Sequence, residues 1–365
     1  MPLPSKRDPD ELRHRLAHWL AARLPEGAAP ELRGLGVPAG TGMSSETLLF
    51  SARWREAGEA RSGRFVVRMQ PEMSDFPVFP SYDLALQARC LDVVRTHTDV
   101  PVPRVVWFEP DAAPLGAPFF VMERLDGRAP PDLPPYVFGS WLSEASPADR
   151  ARLERASLGV LAKLHRLTPE RADLAFLDRP QHGKAALDQH LAYQRWYYEW
   201  ARGGVDYPTI ERTFDWLEKQ RPADPGPTVL NWGDARIGNI LYRDFTPVAV
   251  LDWEMAALGP PGVDVAWMVF MHDFFADLAA RAGLQPIVGF LERRAAVACY
   301  EELSGQRVRD FEYWQVFAAL RYAVISTRTM LRAVAYGQAE RPADPEDVIM
   351  IRHLLVRMLS GDYWS

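Results

Sequence analysis

The stretch "NWGDARIGNILYRDFTPVAVLDWE" at residues 231–254 places Asp234, Asn239 and Asp252 among residues otherwise typical of short strands and a tight turn. An aspartate can accept a hydrogen bond from a substrate hydroxyl and orient it, while an asparagine and a second aspartate supply hard oxygen ligands for magnesium. Each residue could instead serve only as a turn or capping residue. The spacing of all three together favours phosphoryl transfer, with Asp234 as the catalytic residue and the other two as metal ligands.

Short strands must position these side chains. The runs "GNILYRD" and "PVAVLDWE" predict two strands around a turn, so that Asp252 ends an apolar strand and its carboxylate is held rigidly. The proline-rich segment "QRPADPGPTV" at 220–229 predicts a connector that leads directly into the motif.

The N-terminal third predicts a small lobe built mainly from strands. Leucines and Trp19 recur at helical spacing over 8–24, and a second helical pattern covers 81–98. Five apolar runs punctuated by glycine, proline and charged turns predict antiparallel strands: "LRGLGVPAGTG", "ETLLFSARW", "RFVVRMQ", "DVPVPRVVWFEP" and "GAPFFVMERLDG". The first predicted domain is therefore 1–124.

Helical patterns dominate after Gly127, in "ADRARLERASLGVLAKLHRL", "ALDQHLAYQRWYYEWARG", "TIERTFDWLEKQ" and the stretch from "DVAWMVFMHDFF" onward. The second predicted domain, 125–365, thus contains the catalytic loop, the metal ligands and a helical insert for an acceptor. Together the two parts predict an α+β fold.

Several segments follow one another along the chain in the order that a known family shows. The Asp–Asn–Asp pattern resembles the protein-kinase template, and "WGDARIGN", "LAKLHRL" and "VLDWEMAALGPPGVDVAW" resemble the aminoglycoside phosphotransferase-like small-molecule kinases over roughly 35–330. Within that family the chain is similar to the kinase-like domain found in some acyl-CoA dehydrogenases. The resemblance implies a two-lobed, protein-kinase-like fold and transfer of the γ-phosphoryl of a magnesium nucleotide, ATP with GTP not excluded, to a hydroxyl of a small molecule.

The same resemblance gives residue roles in this motif. Asp234 matches the catalytic base, Asn239 and Asp252 match the magnesium ligands, and Asp264 matches an aspartate that braces the fold. The family usually has a histidine where this chain has Trp232. Because tryptophan keeps the bulk and one N–H donor, we expect Trp232 to be a packed brace.

The nucleotide-binding residues depart from the family pattern. Gly42, Ser44 and Ser45, in "PAGTGMSSET", are expected to cover the phosphates, although such turns often bind nothing. Arg68 stands where the family has a phosphate-binding lysine, and Gln87 where a glutamate normally pairs with that cation. Gln87 can hydrogen-bond Arg68 but cannot neutralise it.

The segment "FFVMERLDG" is expected to cross between the two lobes. Backbone groups from Glu123 to Leu125 would then pair with the adenine edge, while Val66 and Met122 sandwich its faces.

Candidate acceptor contacts come from the helical insert and the catalytic loop. Trp196 and Tyr197 belong to an aromatic stripe that could also be ordinary core, and Arg236 and Glu254 lie near the predicted base. Because the stripe carries few carboxylates, an aromatic or partly apolar alcohol suits it better than a polycationic antibiotic.

The overall composition and charge of the chain limit the possible classes of protein. With 42 basic and 48 acidic residues the net charge is −6, which argues against a nucleic-acid binder. Two cysteines, Cys90 and Cys299, and the lack of an apolar leader or spanning run predict a cytoplasmic protein with reduced thiols and no membrane partner. His165 and His272 are expected to be structural.

Two rival functions stay open, as does the oligomeric state. A catalytically weak nucleotide-binding pseudokinase, or interaction module, would explain Arg68 and Gln87. A metal-dependent hydrolase would need further histidine or carboxylate ligands.

Overall fold

The computed structural model describes residues 8–36, 46–71 and 76–364. Its N-terminal part is a five-stranded antiparallel sheet with strand order β1-β2-β3-β5-β4. The elements of this part are α1 (Pro9–Arg23), β1 (Glu31–Gly36), β2 (Glu46–Glu56), β3 (Glu59–Met69), α2 (Leu84–His97), β4 (Val105–Glu109) and β5 (Phe119–Glu123). The predicted strands and both helices are therefore confirmed.

Alternating side chains give this sheet two different faces. Phe65, Val67 and Met69 of β3 are buried in a core shared with α1, whereas Val66 and Arg68 point to the opposite face. Helix α1 is fastened to the sheet by a polar contact, since the Trp19 indole donates to the buried Glu109 carboxylate at 2.8 Å. The opposite face of the sheet, which carries Arg68, is therefore the one that faces the rest of the chain.

The C-terminal part is mainly helical, with two small two-stranded sheets, β6–β9 and β7–β8. Its elements are α3 (Pro147–Leu164), α4 (Ala186–Ala201), α5 (Pro208–Lys219), β6 (Val229–Asn231), β7 (Ile240–Arg243), β8 (Thr246–Val250), β9 (Ala257–Gly259), α6 (Gly262–Arg281), α7 (Arg293–Ser304), α8 (Phe311–Ala335) and α9 (Arg352–Ser360). The α+β fold is as predicted. The boundary between 1–124 and 125–365 stays a prediction.

The β7–β8 hairpin confirms the two strands predicted around the motif. The pair β6–β9 is an addition that the sequence did not indicate, because each strand has only 3 residues, all buried, and no alternation can show in so short a run. The β6–β9 pair joins the segments at the two ends of the 231–254 stretch, and the β7–β8 hairpin lies within it.

The two cysteines are free thiols, with Cys90 buried on α2 and Cys299 partly buried on α7. Among the helices of the described ranges, none is both long and apolar enough to cross a bilayer.

His272 is a buried histidine whose Nδ1 lies 2.7 Å from the Tyr136 hydroxyl. Burial lowers the pKa of His272 to about 4 from its ordinary 6.5. Below pH 6.5 the unfolded chain therefore binds a proton that the folded chain does not, and stability falls as the pH drops.

Between pH 6.5 and 4, we expect His272 to lower the free energy of unfolding by up to about 1.4 kcal/mol for each pH unit of acidification. His272→Asn keeps an acceptor near the Tyr136 hydroxyl but cannot titrate, so its melting temperature should fall less between pH 6.5 and 4. Thermal denaturation across this range measures the difference. Equal slopes for both proteins would contradict this role of His272.

Candidate active site

The catalytic loop is braced by one buried carboxylate. Asp264, in the first turn of α6, is fully buried and accepts hydrogen bonds from the backbone N–H of Trp232 at 2.7 Å and of Gly233 at 2.9 Å. His165, also buried, contacts the same carboxylate through Nε2 at 3.2 Å and the Tyr300 hydroxyl through Nδ1 at 2.7 Å. These contacts position the residue before Asp234 by backbone amides.

Trp232 joins the catalytic loop to the end of β8. Its side chain is fully buried, and its indole N–H lies 2.9 Å from the Leu251 carbonyl and 3.1 Å from the Asp252 carbonyl. Gly233 follows with φ +89, and a Cβ there would lie 2.0 Å from the Met255 carbonyl oxygen, so the tight approach requires glycine. The contacts of Trp232 are those of a packed brace.

Trp232→His is expected to weaken this brace without adding a titrating group to the chemistry. The smaller imidazole ring leaves a void and donates to only one of the two carbonyls that the indole N–H contacts. We therefore expect a loss of about 1–3 kcal/mol in unfolding free energy. Trp232→Phe, which keeps an aromatic ring but has no donor, is the companion variant. Chemical denaturation measures both, and a changed pH profile of activity in Trp232→His with unchanged stability would contradict a bracing role.

Asp234 is held by donors from three parts of the chain. It is 8% exposed, and its Oδ1 accepts from the Trp267 indole at 2.8 Å while Oδ2 accepts from the Asn239 amide at 2.7 Å. Arg236 Nε lies 3.1 Å from both oxygens. The carboxylate is therefore fixed in orientation, as a hydroxyl-orienting group must be.

Asn239 and Asp252 are linked through the backbone. The Leu251 N–H donates to the Asn239 carbonyl at 2.9 Å, which fixes the separation between the two segments. The Asn239 amide nitrogen donates to the Asp234 backbone and side chain, so the oxygen of the amide is the atom left to act as a ligand. Asp252, two residues beyond the end of β8, adopts φ +61, a conformation that aspartate tolerates better than most residues.

Arg68 pairs with Asp252 rather than with Gln87. The Arg68 guanidinium lies 2.8 Å from Asp252 Oδ1, and both side chains are about 15% exposed, at 14% and 15%. Gln87 is buried on α2, and its amide nitrogen has no hydrogen-bond partner among the described residues. Arg68 therefore does not use the hydrogen bond to Gln87 that the sequence allowed, since a carboxylate is the stronger partner for a guanidinium.

At the end of β5, two backbone N–H groups already donate hydrogen bonds within the protein. The Glu123 N–H donates to the Arg104 carbonyl at 3.0 Å and the Arg124 N–H to the Arg64 carbonyl at 2.9 Å. Met122 pairs with Val66 across β3 and β5, on the face that carries Arg68. Leu125 is half-buried beside these residues. Gly42, Ser44 and Ser45 lie outside the described residues, between β1 and β2.

A small cavity lies beside the loop that contains Gly233 and Asp234, because Arg321, which donates to the Gly233 carbonyl, lines it. Tyr197 and Glu254 line it, as do Tyr193, Arg179 and Arg321. Trp196 is not among the described lining residues and is 42% exposed, and its contact with a substrate stays a prediction.

Arg236 lies beside Asp234, as the sequence suggested. It forms ion pairs with Asp234 and with Asp132. Burial opposes its charge, but Asp234 and Asp132 outweigh this and raise the pKa of Arg236. It is a fixed cation next to the base.

Trp267, Arg321 and Asp132 were missed by sequence reasoning. The Trp267 indole donates to Asp234, and the buried Arg321 donates to the Gly233 carbonyl at 2.8 Å. A lone arginine within the apolar run "QVFAALRYAVI" was the available signal for Arg321.

Within the described ranges, no group of three or more His, Cys, Asp or Glu side chains is arranged to hold a metal ion. The oxygens of Asp252 and Asn239, one carboxylate and one amide, are ligands of the kind that magnesium takes when phosphates and water complete its shell.

A five-stranded sheet facing a helical region, with an Asp–Asn loop beside a strand-ending Asp, is the architecture of kinase-like phosphotransferases. The chain belongs to the Phosphotransferase enzyme family, APH, which matches residues 45–303. Relatives include "Probable acyl-CoA dehydrogenase IBR3" of Arabidopsis thaliana, 29% identical over 62% of this chain, and acyl-CoA dehydrogenase family member 11 of Homo sapiens, 30% identical over 46%. The matches cover only 27% and 20% of those two proteins.

Solved structures share the fold. A candidate aminoglycoside phosphotransferase from Ralstonia eutropha has a TM-score of 0.66 at 21% identity, over 96% of this chain and 98% of that one. The aminoglycoside phosphotransferase APH(4)-Ia, in complex with AMP-PNP and hygromycin B, has a TM-score of 0.57 at 16% identity, over 95% and 99%. The GDP and kanamycin complex of APH(2″)-IIia has a TM-score of 0.58 at 13% identity, over 96% and 99%.

Proposed function

We propose that this protein transfers the γ-phosphoryl group of a magnesium nucleotide to a hydroxyl of a small molecule. The observation that carries the proposal is the connected network of Asp234, Asn239 and Asp252, in which Asn239 donates to Asp234 and accepts from the backbone beside Asp252. Hydrogen bonds thus link the three positions of the motif, one of them through the backbone of Leu251.

Asp234 is the residue that receives the acceptor hydroxyl. Its carboxylate accepts the hydroxyl proton as the acceptor oxygen forms a bond to the γ-phosphorus, and the bond to the bridging oxygen breaks to release the nucleoside diphosphate. Arg236, fixed beside Asp234 by its ion pairs, supplies positive charge where the transferring group gains negative charge.

Asn239 Oδ1 and the Asp252 carboxylate would hold magnesium. The bound ion neutralises the phosphate charges and orients them for transfer. Arg68, which pairs with Asp252 in this structure, would contact the α- and β-phosphates of a bound nucleotide. We assign Gln87 to a polar contact in this region, since its amide nitrogen is buried without a partner among the described residues.

The adenine edge is assigned to the backbone from Glu123 to Leu125, with Val66 and Met122 against the ring. Gly42, Ser44 and Ser45 are assigned to the phosphates. Backbone recognition alone does not choose between bases, and the similar structures contain AMP-PNP in one case and GDP in another. ATP is proposed, with GTP as the alternative.

Two measurements test the proposal. Thermal shift with ATP and GTP, each with and without magnesium, should show stabilisation that requires the metal. A coupled assay should then show diphosphate release that depends on an alcohol. A pseudokinase, the alternative suggested by Arg68 and Gln87, would be stabilised by nucleotide, even as Asp234→Ala, and would release no diphosphate.

A further inference from the structure

The cavity beside the catalytic loop contains a buried arginine whose hydrogen-bonding capacity is only partly used. Arg321, on α8, is 2% exposed. Its Nη2 donates to the Gly233 carbonyl, but Nε and Nη1 are buried and have no hydrogen-bond partner among the described residues. Buried donors of a charged group are costly to leave unpaired, so this arrangement indicates a site for an anionic partner.

Neighbouring carboxylates do not accept hydrogen bonds from Nε and Nη1 of Arg321. Asp264 and Asp234 are the acidic groups that act most strongly on Arg321. Asp264 already accepts from two backbone amides, and Asp234 from Trp267 and Asn239. Burial lowers the pKa of Arg321 to about 10, so the guanidinium keeps its charge at neutral pH.

The position of Arg321 suits a substrate that reaches the catalytic base. Its guanidinium carbon lies 4.4 Å from the centre of the Trp267 ring, and the indole N–H of Trp267 donates to Asp234. One aromatic ring therefore separates the unpaired donors from the catalytic carboxylate. Asp234 is not among the described lining residues, so the chain of a ligand held at Arg321 has to pass the Trp267 ring to bring its hydroxyl to Asp234.

Other lining residues add a second cation and neutral polar groups. Arg179 lies over the Tyr193 ring, 4.3 Å from its centre. His190 is buried, and burial, followed by the charges of Arg321 and Arg179, lowers its pKa to about 3, so it is neutral. Gln194 is 3% exposed.

Two acidic residues, Asp83 and Glu254, also line the cavity. Asp83 caps α2 by accepting from the Leu86 N–H at 2.8 Å. Glu254 raises the pKa values of Tyr82, Tyr193 and Tyr197, whereas the largest influences on the pKa of Arg321 are burial, Asp264 and Asp234. The cations among the described lining residues are Arg321 and Arg179, and the charge of Arg179 acts on Arg321.

The size of the cavity favours a small group. Its volume of about 30 Å³ corresponds to about two water molecules. A carboxylate has this size, whereas a whole sugar ring does not. A carboxylate also has two oxygens that match the adjacent N–H groups of a guanidinium.

We propose that the acceptor is a hydroxy acid whose carboxylate is bound by Arg321 while its hydroxyl faces Asp234. This proposal rests on the proposed phosphoryl transfer for the identity of the hydroxyl, but the anion site itself does not. Arg321 is thereby a specificity-determining residue, and Arg179 adds positive charge in the same cavity.

Binding can be tested without nucleotide and without turnover. Calorimetry on the full chain with butanoate, butanol and butylamine compares an anion, a neutral group and a cation on one skeleton. We expect butanoate to bind and the other two to bind at least about tenfold more weakly. Equal binding of all three, or preference for the amine, would overturn the proposal on the wild-type protein alone.

Arg321→Gln removes the charge and should weaken butanoate binding by about 10- to 100-fold. Arg328→Gln is the matched control, because Arg328 lies on the same helix, also donates to a backbone carbonyl and also stacks on aromatic rings. It does not line the cavity among the described residues and should bind butanoate like the wild type. Undiminished binding by a folded Arg321→Gln would overturn the proposal, and Arg321→Lys serves if the glutamine variant does not fold.

Turnover separates this proposal from the proposed function. With magnesium ATP, β-hydroxybutanoate should have a higher kcat/KM than the diol and the amino alcohol of the same skeleton, and Arg321→Gln should remove that preference. Arginine-dependent butanoate binding without any phosphorylated product would reject the proposed function and leave the anion site. Phosphorylation of the diol with no preference for the acid would do the reverse.

Discussion

Asp234→Asn is expected to lower phosphoryl transfer by about 10²- to 10⁴-fold. The amide cannot take up the hydroxyl proton, and it presents a donor to Trp267 and Arg236, which now donate to the carboxylate. Nucleotide affinity should change little, because Asp234 is not assigned to the nucleotide. Steady-state kinetics and nucleotide titration of the same preparation give the two quantities.

Asp244→Asn is the matched control for that experiment. Asp244 is exposed in the turn between β7 and β8 at φ +48, a conformation that asparagine also tolerates. Its activity should equal that of the wild type. An Asp234→Asn protein that folds, binds nucleotide and keeps full transfer would show that Asp234 is not the base.

Asp264→Ala is expected to cost about 3–5 kcal/mol of unfolding free energy. The change leaves the backbone amides of Trp232 and Gly233 buried without their acceptor and removes the partner of His165. Asp264→Asn keeps one acceptor oxygen and should cost less. Denaturant titration with circular dichroism measures each value.

Asp188→Ala provides a control in a similar helix position. Asp188 also lies in the first turn of its helix, α4, but pairs with Arg221 where both side chains are 38% exposed. Such a pair contributes less than about 1 kcal/mol. If Asp264→Ala and Asp188→Ala destabilised the protein equally, the brace assigned to Asp264 would be wrong.

The sequence predicted those parts of the molecule that local pattern controls. Alternating apolar residues indicated the strands of the N-terminal sheet, and the spacing of Asp234, Asn239 and Asp252 indicated one functional loop. In both cases the interacting residues are neighbours in sequence or share a repeating period.

Contacts between distant segments could not be predicted in this way. Arg68 and Asp252 are separated by 184 positions, and Arg321 and Gly233 by 88. Nothing in the local pattern of β3 indicates that Arg68 pairs with Asp252. The helical stripe of α4 likewise shows which residues are aromatic but not that Tyr197 lines the cavity while Trp196 is exposed.

The most direct test of the central claim follows the phosphoryl group itself. ATP labelled at the γ-phosphorus is incubated with the protein, magnesium and a panel of hydroxyl compounds that includes hydroxy acids, diols and amino alcohols. The account predicts that the label appears in a phosphate ester of an acceptor, only with magnesium and not with Asp234→Asn. Label found only in ATP and inorganic phosphate, with nucleotide bound to the folded protein, would contradict it.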